Sequence, residues 1–65
     1  MTKIAFDLRV GDVINLFGSH VRIESIKGLA GHPTGLCLRM EFSGSPMLKF
    51  GYTPLERKFE VVGHV

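Results

Sequence analysis

The side chains of this 65-residue sequence best suited to covalent or metal chemistry are one cysteine, Cys37, and three histidines, His20, His32 and His64. A thiol beside a histidine would make an activated nucleophile, and histidines at i, i+2 or i, i+4 spacing would hold a metal ion. Neither pattern is present. Cys37 sits mid-strand in "LCLRM" with no base beside it to activate it, and the histidines are scattered. The carboxylates, Asp7, Asp12, Glu24, Glu41, Glu56 and Glu60, mostly alternate with basic or apolar neighbours, as solvated faces do. The Gly-rich run "GLAGHPTG" (Gly28 to Gly35) lacks the Lys-Ser/Thr ending and the following helix of a phosphate-cradling loop. The expectation is therefore a non-enzymatic protein with no metal and no cofactor.

Binding chemistry has better candidates. Lys27, Gly28, Leu29, Gly31, His32 and Pro33 form a stretch longer than a hairpin needs, with glycine and proline to hold a defined shape. It reads as a partner-binding loop with His32 near its tip. Arg22, Arg39, Glu41 and Lys49 fall at outward parity on neighbouring segments and read as a partner-binding face. Aromatic stacking groups for nucleic acid look scarce, because most of the five Phe and the single Tyr stand at core parity.

The elements that must carry these residues are strands. Alternation of apolar and polar residues, punctuated by turn signals about every ten residues, points to an all-β barrel or sandwich. "DLRVGD" is a turn and "DVINLF" (Asp12 to Phe17) the first long strand. Gly18–Ser19 is the hairpin signal and "HVRIESIK" (His20 to Lys27) the return, with a bulge expected near Ser25. In "LCLRMEF" (Leu36 to Phe42), Leu36, Leu38, Met40 and Phe42 form the core face, with Cys37, Arg39 and Glu41 opposite. "MLKFGY" returns with Leu48, Phe50 and Tyr52 on the core face. That register pairs Met40 with Phe50 and sets Glu41 across from Lys49. Thr53, Pro54 and Glu56 have the spacing of a capping box, so a short 3₁₀ turn is expected before the last strand, "FEVV" (Phe59 to Val62).

Five strands, a long second loop and a 3₁₀ turn before the fifth describe a small five-stranded SH3-like barrel occupying residues 1–65 as one domain. A small OB-type or split barrel is the alternative. A domain of this length buries only about 60% of its unfolded-chain surface. With one cysteine there is no intrachain disulfide to staple it, and self-association is a further expectation. The lone cysteine suits a reducing cytoplasm. Neither a signal-peptide run nor a membrane-spanning run is present, so a cytoplasmic location and no membrane partner are expected.

Across "DLRVGDVINLFGSHVRIESIKGLAGHPTG" the sequence resembles the KOW-like SH3 barrels of translation proteins, of the elongation factor P N-terminal domain type. The matching pieces are the turn Asp7–Gly11, the strand Val13–Phe17, the turn Gly18–Ser19, the strand Val21–Lys27 and the loop Gly28–Gly35. That family carries a modified lysine at its loop tip, where this sequence has His32. The resemblance thus implies the fold and a lean toward nucleic-acid or ribonucleoprotein contact, and not the factor's activity.

Charge decides between partners only weakly: eight Lys/Arg against six Asp/Glu give a net +2, with no basic block. The reading that follows is a protein-interaction regulator or adaptor acting on a larger machine, of the kind a phage or mobile element encodes. The alternative is an RNA- or DNA-binding accessory protein of translation or transcription.

Overall fold

The computed structural model describes residues 1–32 and 35–65, and the side chains of all but residues 29–36. Six strands form one antiparallel sheet: β1 (Thr2–Ile4), β2 (Asp12–Leu16), β3 (Ser19–His32), β4 (Gly35–Ser43), β5 (Phe50–Pro54) and β6 (Lys58–His64), in the order β1-β6-β2-β3-β4-β5. The all-β class holds, but with six strands where five are expected. The added strand is β1, three residues pairing Thr2 with Glu60 and Ile4 with Lys58. So short a segment leaves almost no periodicity to read.

The sheet curls without strand pairing closing it, because β1 and β5 remain its two ends. Two backbone bonds draw those ends together. Ala5 N–H donates to the Arg57 carbonyl at 2.8 Å and Phe6 N–H to that of Leu55 at 3.0 Å. Inside the curl lie Ile14, Val21, Ile23 and Met40, each at most 1% exposed, with Leu16, Phe42 and Phe59 beside them. Ile26, Leu38, Leu48 and Val61 pack partly buried against this cluster.

The β2–β3 turn is one residue earlier than the glycine signal suggests. Leu16 pairs with Ser19, so Phe17 and Gly18 are the central residues, with φ of 52° and 84°. Two positive φ values are the signature of the hairpin turn whose twist matches its strands, and asparagine ordinarily takes the first position. The expected bulge is present, as a register shift between Ile23 and Ser25.

Three expectations change. The stretch from Gly28 to His32 is strand, not loop: β3 runs to His32, which pairs with Gly35 of β4. Two glycines with no apolar alternation hide a strand that backbone pairing alone extends. The β4–β5 register is one residue off, with Met40 opposite Gly51 and Glu41 opposite Phe50. The 3₁₀ turn lies at Ala5–Asp7, whereas the segment before β6 is a simple turn in which Arg57 N–H reaches the Pro54 carbonyl at 3.3 Å. Thr53 does not cap it; its hydroxyl donates to the Pro54 carbonyl at 3.1 Å from within β5.

Candidate functional site

The one-residue register slip inverts β5. Gly51 and Thr53 turn inward, Thr53 being 3% exposed, while Phe50 and Tyr52 stand outward at 54% and 48%. In a strand every second side chain changes face, so an odd shift moves the whole apolar set. Gly51 faces the Phe42 ring on the inward side, where a Cβ would make an ordinary van der Waals contact at 3.6 Å.

With Phe50 and Tyr52 turned out, a cleft opens where the sheet fails to close, between β5, the β2–β3 turn and the start of β6. Its volume is about 170 Å³. Met40, Phe42, Leu48 and Phe59 contribute to an apolar lining; Phe17, Phe50, Tyr52 and Arg57 bring more exposed groups to it. Phe17 is 81% exposed and holds a left-handed backbone. For a bulky residue that conformation is an outlier and costs about 1–2 kcal/mol. The Arg57 guanidinium carbon lies 6.0 Å from the Phe17 ring centroid and 5.1 Å from that of Phe59, so the cation bridges two aromatics.

The predicted face is assembled only in part. Arg39 and Glu41 stand together on β4 and form an ion pair at 3.5 Å. Arg39 also covers the Phe50 ring at 4.8 Å, and Phe50 meets Tyr52 edge-on with centroids 6.1 Å apart. Lys27 is exposed and directly across from Arg39. The place expected for Lys49, across from Glu41, is taken by Phe50, which displaces Lys49 from the row. Arg22 lies further along β3, tied to Glu24 and donating to the Val65 carbonyl at 3.4 Å.

Glu41 accepts the Ser25 hydroxyl at 2.7 Å, and that bond with the Arg39 charge lowers its pKa. The Ser43 hydroxyl and Arg22 lower that of Glu24 in the same way. Of the predicted loop, Gly28 is exposed in β3, and the backbones of Leu29, Gly31 and His32 continue that strand. The side chains of Leu29 and His32, and all of Pro33, lie outside the described residues.

Phe50 and Arg57 are the site residues that the sequence reading misses. Cys37 stands off the main core cluster, as its parity indicates, yet is 1% exposed, beside its cross-strand partners Leu29 and Pro54.

A second cluster pins the chain ends. Asp12, 2% exposed, accepts the Arg9 N–H at 2.9 Å, lies 2.8 Å from His64 Nδ1 and has Lys3 Nζ at 3.6 Å. Burial pushes its pKa up, but the bonds from His64 and Arg9 and the Lys3 charge together carry it below the ordinary value. Among the described residues no three His, Cys, Asp or Glu side chains gather as a metal site would need, and no helix is long and apolar enough to cross a membrane. Compared with family models, curated proteins and solved structures, the chain finds no match.

Proposed function

We propose that this protein is a small non-enzymatic binding module that docks a protein partner in the cleft between β5 and the β2–β3 turn, as a regulator or adaptor of a larger assembly. The observation that carries the reading is Phe17. A large aromatic occupies a left-handed turn position that favours asparagine, and its ring stays 81% exposed at the cleft. Strain kept at an exposed aromatic is a cost that folding alone does not require, and such strain gathers at ligand sites. Exposed apolar groups around a concave, mostly apolar floor are the anatomy of an interaction site.

We read the scaffold as an SH3-like barrel of the KOW type. In support, β6-β2-β3-β4-β5 is a continuous run, β5 passes into β6 through one tight turn, and the Ala5 and Phe6 bonds bring the sheet ends together. The cleft is then the open seam of that barrel.

A second reading is nucleic-acid binding, favoured by one specific observation. Phe50 and Tyr52 stand exposed beside Arg39 and near Lys27, which supplies the aromatic component that single-strand binders combine with cations. Capture from a lysate of the cells that carry the protein separates the two. Under the first reading, a discrete protein survives nuclease and moderate salt and is lost with the Phe17→Ser/Phe50→Ser variant. Recovery that disappears with nuclease, or falls steeply with salt, makes nucleic acid the ligand instead.

A further inference from the structure

We infer that the cleft takes a peptide segment in which a carboxylate lies next to a large apolar anchor, and that Arg57 is the group that reads the carboxylate. This rests on the protein-docking reading above. Among the described residues that line the cleft, Arg57 is the sole charged one. The other cations close to a carboxylate are already neutralised within the chain: Lys3 by Asp12, Arg22 by Glu24, Arg39 by Glu41. Among the described residues, the Arg57 side chain has no ion pair and no hydrogen bond; its contacts are the rings of Phe17 and Phe59.

Those contacts hold the cation at the cleft and use none of its five N–H donors, whose planar fork matches a carboxylate. The donors therefore remain available for a two-pronged bond when a partner arrives. Beneath it, the apolar surface of Met40, Phe42 and Phe59 suits an aliphatic or aromatic side chain, and about 170 Å³ is the scale of one such group. A nucleic-acid strand needs a track of cations for successive phosphates, and the cleft lining offers one. One carboxylate beside one apolar anchor fits both the charge and the volume.

A random-sequence peptide display library panned on the full chain is the probe, followed by fluorescence anisotropy of a synthesised winner. Enriched peptides are expected to share an Asp or Glu at fixed spacing from an aromatic or aliphatic residue. Arg57→Gln should weaken the winner about tenfold, which is about 1.4 kcal/mol. Arg57→Lys should fall between, and panning on Arg57→Glu should select Lys or Arg in place of the acid. Because Arg57 is exposed, all three variants should keep the wild-type circular dichroism spectrum, which is checked first.

Peptides that need Phe50 but show no preference for an acid, and bind Arg57→Gln unchanged, would overturn this inference and leave the docking reading standing. No enrichment dependent on Phe17 or Phe50 would overturn both. Binding of oligothymidylate or oligouridylate that Phe17→Ser abolishes, or a dimer mass that the same change abolishes, would give the cleft another occupant and overturn it as well.

Discussion

His64 places Nδ1 2.8 Å from Oδ1 of Asp12, joining the end of β6 to the start of β2 across 52 positions of chain. The Asp12 carboxylate is buried and also holds the Arg9 N–H in the turn before β2, so one side chain secures both a turn and a terminus. Asp12→Ala is expected to cost about 1–3 kcal/mol by leaving the part-buried Arg9 N–H without an acceptor and removing the charged partner of His64 and Lys3. Urea unfolding of the two proteins measures it. A change within about 0.5 kcal/mol, the range of an ordinary surface substitution, would show that the cluster is dispensable.

Acid should undo the same cluster. The folded pKa of Asp12 is lowered, so its contribution is fully present above the unfolded value of about 3.9 and is lost as pH falls through the folded one. Glu24 and Glu41, lowered as well, act in the same direction. Stability measured from pH 6 down to pH 2 should therefore fall steeply below about pH 4. Asp12→Asn should flatten that limb, and an unaltered limb would remove Asp12 from the account.

Gly11 has φ of 98°, and a Cβ there would stand 2.5 Å from the Val65 carbonyl oxygen. Val65 N–H in turn donates to the Gly11 carbonyl at 2.8 Å. Gly11→Ala combines a left-handed penalty with a backbone clash, and should cost at least about 1 kcal/mol and loosen the C-terminal residues. Amide exchange at Val65 is the sensitive readout: protection as strong as in the parent would contradict the close approach.

Phe17→Asn separates stability from function. Asparagine relieves the left-handed strain, so the variant should be more stable by about 0.5–1.5 kcal/mol and should bind the cleft's ligand less well. Thermal melting and peptide anisotropy measure the two effects on one sample. A variant that melts lower would mean that the Phe17–Arg57 contact outweighs the strain.

The β5 register makes Phe50 and Phe42 unequal. Phe50→Ser should change stability by less than about 1 kcal/mol, and Phe42→Ala should cost about 3–5 kcal/mol. Comparable losses would restore Phe50 to the core and close the cleft as drawn.

How much was legible follows from what each pattern encodes. Alternation in "LCLRMEF" locates β4, with Met40 and Phe42 buried and Arg39 and Glu41 paired outside, because two-residue periodicity is a property of the strand itself. The irregularity after Ile23 likewise announces its bulge. The strand from Gly28 to His32 escapes, since glycines carry no face and only pairing with β4 makes them a strand. β1 escapes for a similar reason, as three residues show their role only against β6.

By itself the sequence determined the all-β class, most strand positions, the bulge and the faces of β3 and β4. Each of these depends on neighbours along the chain. Tertiary structure alone decided which residues of β5 meet the core. That choice turns on the geometry of residues 44–49, where Gly44 takes φ of 98° and Phe42 N–H reaches the Lys49 carbonyl at 2.8 Å. A shift of one residue there turned Phe50 and Tyr52 outward. The same folding carried Phe17, distant in sequence, to the Arg57 side chain that also meets Phe59. The cleft exists because the sheet ends meet at a turn instead of pairing along their length, and pairing between distant strands is written in no local pattern.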